Sequence, residues 1–141
     1  MRVNGKIQYA FRRPRFPIIC AVAAELISAE SAAGFQRQIE RFELQGDEVL
    51  DIVDATAEGW AFHVNLRIVS PLTLKKTWTK AAVIRLFNES QNARRIGVVY
   101  PETALSNKSL IRIIAEVAAL AAHASPHRPL HANTLKIPSG D

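Results

Sequence analysis

Apolar and polar positions alternate most regularly at residues 59–69. Trp60, Phe62, Val64, Leu66 and Ile68 interleave with Ala61, His63, Asn65, Arg67 and Val69, the period-two pattern of a strand with one face on a core. Trp, Phe, Val and Ile also suit a pleated, half-buried surface. Pro71 removes a backbone donor and predicts the strand's end. Upstream, Val49, Asp51 and Val53 alternate with Leu50, Ile52 and Asp54 as a second, less one-sided strand. Thr56-Ala57-Glu58-Gly59 links the two, with Gly59 the residue expected at positive φ. A β-hairpin over about 48–54 and 59–69 is therefore the centre of the predicted fold.

The remaining pattern is mostly helical. Residues 4–11 predict a short strand through Ile7, Tyr9 and Phe11, and Pro14 and Pro17 an extended link. The apolar run Ile18–Ala29, interrupted only by Glu25 and Ser28, predicts a helix opening near Pro17, with a break around Ser31–Gly34. Phe35, Ile39 and Phe42 fall on one helical face and predict a helix over 32–43; the competing pattern is a strand at 41–44 paired with 48–54. Thr77 or Thr79 caps a helix at about 79–88 that carries Val83, Ile84 and Phe87. Asn88–Asn92 reads as a polar loop and Ile96–Tyr100 as a short buried strand halted by Pro101. The last helix, about 106–123 with Ser106 as cap, is apolar around most of its circumference.

This order lacks the steady βα alternation of a parallel sheet. It predicts an α+β fold: a small antiparallel sheet built on the hairpin, helices packed on one face, and the last helix lying against the hairpin. One domain spans 1–124, with 1–15 as a loosely ordered lead. Pro126 and Pro129 stop the last helix, and 125–141 reads as a flexible tail.

Composition narrows the class. A chain of 141 residues with 48% hydrophobic content suits one globular domain with its own core. The single Cys20 excludes an internal disulfide and fits a reducing cytoplasm. No run of about 18 apolar residues offers a membrane span, and Pro17 and Glu25 break up residues 16–24 as a secretory leader. A cytoplasmic protein without membrane contact is the expectation. The net charge of +5 is unevenly spread. Residues 1–24 hold five bases and no acid, 25–58 nine acids against two bases, and 59–141 eleven bases against four acids. Such segregation implies an internal acid–base match or a basic face for an anionic partner.

Candidate chemistry is sparse. His123, His127 and His131 share a four-residue spacing, but Pro126 and Pro129 forbid the helix that would align them, so no metal is expected. His63 reads as a surface residue, and Asp47, Glu48, Asp51 and Asp54 as solubilising carboxylates. Cys20 reads as inert core. No nucleophile elbow, P-loop or dinucleotide fingerprint occurs, so no catalytic or cofactor residue is predicted. The basic segment offers more. Lys75, Lys76, Lys80, Arg85, Arg94 and Arg95, interleaved with Trp78, are the residues expected to meet an anionic partner. Leu110, Ile114, Val117 and Leu120 on the last helix are those expected at a homodimer or protein interface. The predicted function is a small, non-enzymatic binding module. A nucleic-acid-binding regulator and a small enzyme with an unrecognised site are the competing classes.

Overall fold

The computed structural model describes residues 5–72 and 77–124. It is an α+β fold: a six-stranded mixed sheet with helices packed against it. In chain order the elements are β1 (Gln8–Tyr9), β2 (Ile18–Val22), β3 (Glu25–Ala29), α1 (Ala32–Ile39), β4 (Val49–Val53), β5 (Gly59–His63) and β6 (Ile68–Pro71). The helices α2 (Lys80–Asn88), α3 (Gln91–Ile96), α4 (Ala104–Asn107) and α5 (Leu110–His123) follow. The sheet order is β1-β6-β5-β4-β2-β3, antiparallel except for β1 beside β6.

The central hairpin is present as β4 and β5, with Ile52 opposite Trp60 and Leu50 opposite Phe62. Its second strand is shorter than the alternation suggests. The chain turns at Val64–Arg67, with Arg67 at φ 55°, and returns as β6. Leu66 keeps the apolar rhythm through this turn yet is 61% exposed, so periodicity alone did not reveal the bend. At the β4–β5 turn the positive φ falls on Ala57 (75°), while Gly59 lies inside β5.

Residues 18–29 form a strand pair in place of the expected helix. Val22 pairs with Glu25 around a two-residue turn, Ala23-Ala24, in which Ala23 adopts φ 55°. Alanine stands where glycine or asparagine is the usual turn signal, which hid the hairpin. Both faces of the pair are covered, so the run is continuously apolar instead of alternating. Ile18, Cys20, Val22 and Ile27 face one core; Ile19 and Leu26 face another.

Those two cores lie on opposite faces of the sheet. The first joins Trp60, Phe62, Leu50 and Ile52 to Phe35 and Ile39 of α1, and the Phe35 and Phe62 rings meet edge to face at 5.7 Å. Helix α1 matches the expected one apart from its end; Ser31 caps it by accepting from Gly34 N. The second core joins Ile19, Leu26 and Val53 to Val83, Phe87, Tyr100 and the inner face of α5. Helix α2 is capped by Thr79. The polar loop expected at 88–92 and the strand expected at 96–100 are replaced by α3, capped by Ser90 and ended by Gly97 at φ 66°. The last helix is split: α4 ends at Asn107, and Ser109 caps α5.

Helix α5 packs on β3, α2 and α3, while the apolar side of β5 faces α1. Ile114, Val117 and Leu120, expected at a subunit interface, are 0%, 0% and 2% exposed within the chain's own fold, and Leu110 is half-buried. Their apolar surface is already covered. The tail assigned to 125–141 lies outside the described residues, as do most of the lead residues 1–4 of the expected loose segment; from Ile7 onward that segment is packed.

Helices close the sheet's open edges. Gln36 of α1 accepts from Ile7 N and donates to Gly5 O beside β1, while Gln38 donates to Ser28 O on β3. Two residues apart on a helix point about 200° apart, so one short helix reaches both edges. Further along β3, the Asn92 side chain pairs with both Leu26 N and Leu26 O, at 2.8 and 3.0 Å. Its amide nitrogen also reaches Ala121 O and Ala124 O at the end of α5.

Two substitutions test this packing. Ile114→Glu buries an unpaired charge and is expected to unfold the chain rather than yield a folded monomer, as read by circular dichroism with sedimentation. Asn92→Ala leaves several buried backbone groups without partners and is expected to cost about 3 kcal/mol or more in urea unfolding; a loss under about 1 kcal/mol would show that water replaces the amide.

Candidate anion-binding surface

The basic residues expected to act together are dispersed. Lys75 and Lys76 lie outside the described residues. Trp78 is half-buried against the second core, its backbone N–H donating to Ala57 O. Lys80 donates to Leu105 O. Arg85 is exposed but shares a shallow cleft with Glu89 and Glu102. Arg95 is committed to the fold: its guanidinium grips both carboxylate oxygens of Glu25 at 2.7 Å and reaches Ala124 O. Of the described members, Arg94 and Arg85 stay exposed with open approach.

A denser set of cations sits on the link between β1 and β2. Ala10 N donates to Val69 O, and Arg12 N donates back to Ala10 O at 2.8 Å. That three-residue turn puts Phe11 at φ 71°, a strained conformation for a side chain of this size. The turn leaves Phe11 93% exposed. Arg12, Arg13 and Arg15 follow, all exposed, around a buried Pro14.

The link's far end is fixed by Asp54. This residue is 1% exposed, and its carboxylate accepts from Arg15 N, Thr56 N, the Thr56 hydroxyl, Glu58 N and the Trp60 indole. Ala55 N donates to Arg15 O. A carboxylate so surrounded by donors ties the arginine link to the β4–β5 turn. Asp54 is thus an internal fastener, not the solubilising residue expected; its partners are mainly backbone N–H groups, which residue type does not disclose. Arg12 makes a forked pair with Glu58 while its guanidinium lies over the Trp60 ring at 4.9 Å. Arg13 lies over the Tyr9 ring at 5.3 Å. The Arg15 side chain carries its charge at the surface.

Beside this link, β1 and α1 enclose a cleft of about 580 Å³ whose walls include Lys6, Tyr9, Arg13 and Gln36. A smaller hollow of about 260 Å³ lies between Trp60, Trp78 and Asp51. Among the described residues no cluster of His, Cys, Asp and Glu is placed to hold a metal, and no helix is long and apolar enough to cross a membrane. Cys20 is buried, and burial pushes its thiol far up. His63 stands 3.5 Å from the Ser70 hydroxyl at the sheet surface.

No protein-family model, curated protein or solved structure matches the chain. The residues carrying this surface were partly visible in advance: residues 1–24 hold bases and no acid. Their confinement to one anchored link was not, because it depends on Asp54, 39 residues from Arg15.

A second polar cluster belongs to the C-terminal half. Glu116 on α5 accepts from the Tyr100 hydroxyl, Lys108 and Arg112. Burial alone raises its carboxyl, but these hydrogen bonds outweigh it and draw the pKa from 4.5 down to about 2. Burial and the Glu116 bond push the Tyr100 phenol upward. A depressed carboxyl stabilises the fold fully above its unfolded value, about 4.5, and that support is lost as pH falls toward about 2. Glu116→Gln is therefore expected to flatten the pH dependence of the melting temperature across that interval. An unchanged acid limb would show that the cluster does not couple to folding.

Proposed function

We propose that this chain is a binding module, acting without catalysis, that engages an anionic partner through the link carrying Phe11, Arg12, Arg13 and Arg15. The observation that supports the reading most is Phe11. A bulky aromatic held at positive φ and almost fully exposed costs stability, and it sits among three arginines on a segment pinned at both ends. Anchoring lowers the ordering cost of binding. Arginine side chains can form forked pairs with phosphate or carboxylate groups, and an exposed ring adds a stacking or apolar contact. Arg85 and Arg94, exposed on the helical side, extend the basic character elsewhere without joining this set.

A nucleic-acid-binding role is the second reading, favoured by the same neighbourhood of ring and guanidinium groups, which suits unstacked bases. Fluorescence anisotropy with labelled single-stranded DNA, duplex DNA and inorganic polyphosphate, each at low and moderate salt, tests both. The expected result is salt-sensitive affinity that weakens for Arg13→Ala and Arg15→Ala, each lowering the log–log salt slope by about 1. Phe11→Ala is expected to reduce binding to single strands selectively if bases are read. No affinity for any of the three polyanions at low salt overturns the proposal.

A further inference from the structure

The cleft between β1 and α1 holds a polar group that the fold itself leaves unanswered. Tyr9 is a half-buried residue whose hydroxyl is buried and has no hydrogen-bond partner. The neighbouring acceptors are engaged elsewhere. Gln36 Oε1 takes Ile7 N, Gln36 Nε2 serves Gly5 O and Glu40, and Glu40 Oε2 receives that bond. An unsatisfied buried hydroxyl costs about 1–3 kcal/mol, so phenylalanine would serve the free fold better than tyrosine here. Burial also raises the phenol's pKa, which keeps it a donor near neutral pH.

The surrounding charges say what would accept that hydrogen bond. Lys6 and Arg13 line the cleft, Arg13 lying over the Tyr9 ring. Glu40 is the acid among the lining residues, and its carboxylate is already in use. The tyrosine ring, Ile7 and the first turn of α1 supply apolar wall. At about 580 Å³ the space falls within the roughly 300–1,000 Å³ usual for small-molecule pockets.

We propose that this cleft binds a small amphipathic anion, a phosphate monoester or carboxylate on an apolar body. The Tyr9 hydroxyl and the Arg13 and Lys6 cations hold its charged end. The site goes beyond the partner surface described above and shares only Arg13 with it.

Phenyl phosphate serves as the probe, with inorganic phosphate and phenol as the charge-only and ring-only arms, followed by NMR titration and by melting temperature. Saturable binding of phenyl phosphate is expected, weaker for inorganic phosphate and weaker still for phenol. Tyr9→Phe is expected to cut affinity about tenfold while leaving the melting temperature of the free protein equal or higher. Arg13→Gln should likewise weaken binding, and Phe11→Ala should not, which separates this site from the polyanion surface. Three results each overturn the proposal: no saturable shift into the millimolar range, unchanged affinity in Tyr9→Phe, or a lower melting temperature for that variant without ligand.

Discussion

A sheet that stays open must do something with the backbone groups along its two edges, and most of this architecture follows from how that is met. On β3 the outward positions are 24, 26 and 28. Ala24 O accepts from Gln91 N, Leu26 is bridged at both its N–H and C=O by Asn92, and Ser28 O accepts from Gln38. On β1 the corresponding role falls to Gln36. Side-chain amides suit this work because each offers a donor and an acceptor in one plane, as a neighbouring strand would. The edges are therefore covered by helices, which removes the template for pairing with another chain. It also explains why α1 and α3 are short: each is long enough to deliver its amides and an apolar face.

The uneven charge along the chain has a matching consequence. The acidic stretch 25–58 is partly neutralised from both sides, by Arg12 on Glu58 and by Arg95 on Glu25. Both contacts join segments far apart in sequence, so the internal acid–base match foreseen from composition is realised at those points. Surface pairs of this kind add little stability; their larger effect is to choose which cations remain free. Arg95 is withdrawn from the surface, whereas Arg13, Arg15 and Arg94 are not. The 75–95 cluster loses coherence through this selection, and the link at 11–15 gains relative weight.

The proposed binding surface and the cleft depend on the same scaffold. Asp54 holds one end of the arginine link and Val69 the other, while Gln36 fixes the cleft wall opposite Tyr9. Strain at Phe11 and the unanswered Tyr9 hydroxyl are both costs to the free fold, and they lie within three residues of each other. Costs concentrated at one place on an otherwise well-satisfied fold are a physical reason to seek function there.

The chain's own order of residues determined the local elements that rest on period and caps: the β4–β5 hairpin, α1 under Ser31, α2 under Thr79, and the α+β class. It also declared the basic lead. It did not disclose the strand pair at 18–29, since Ala23-Ala24 carries no turn signature and burial on both faces erases alternation. Nor did it show that α5 spends Ile114 and Val117 on β3 and the neighbouring helices, because an apolar helix looks the same whether its cover is another chain or its own sheet. Tertiary structure decided those points, and decided which arginines remain exposed. Partners such as Asp54 with Arg15, or Asn92 with Leu26, are chosen by proximity in space, through backbone groups that every residue type shares.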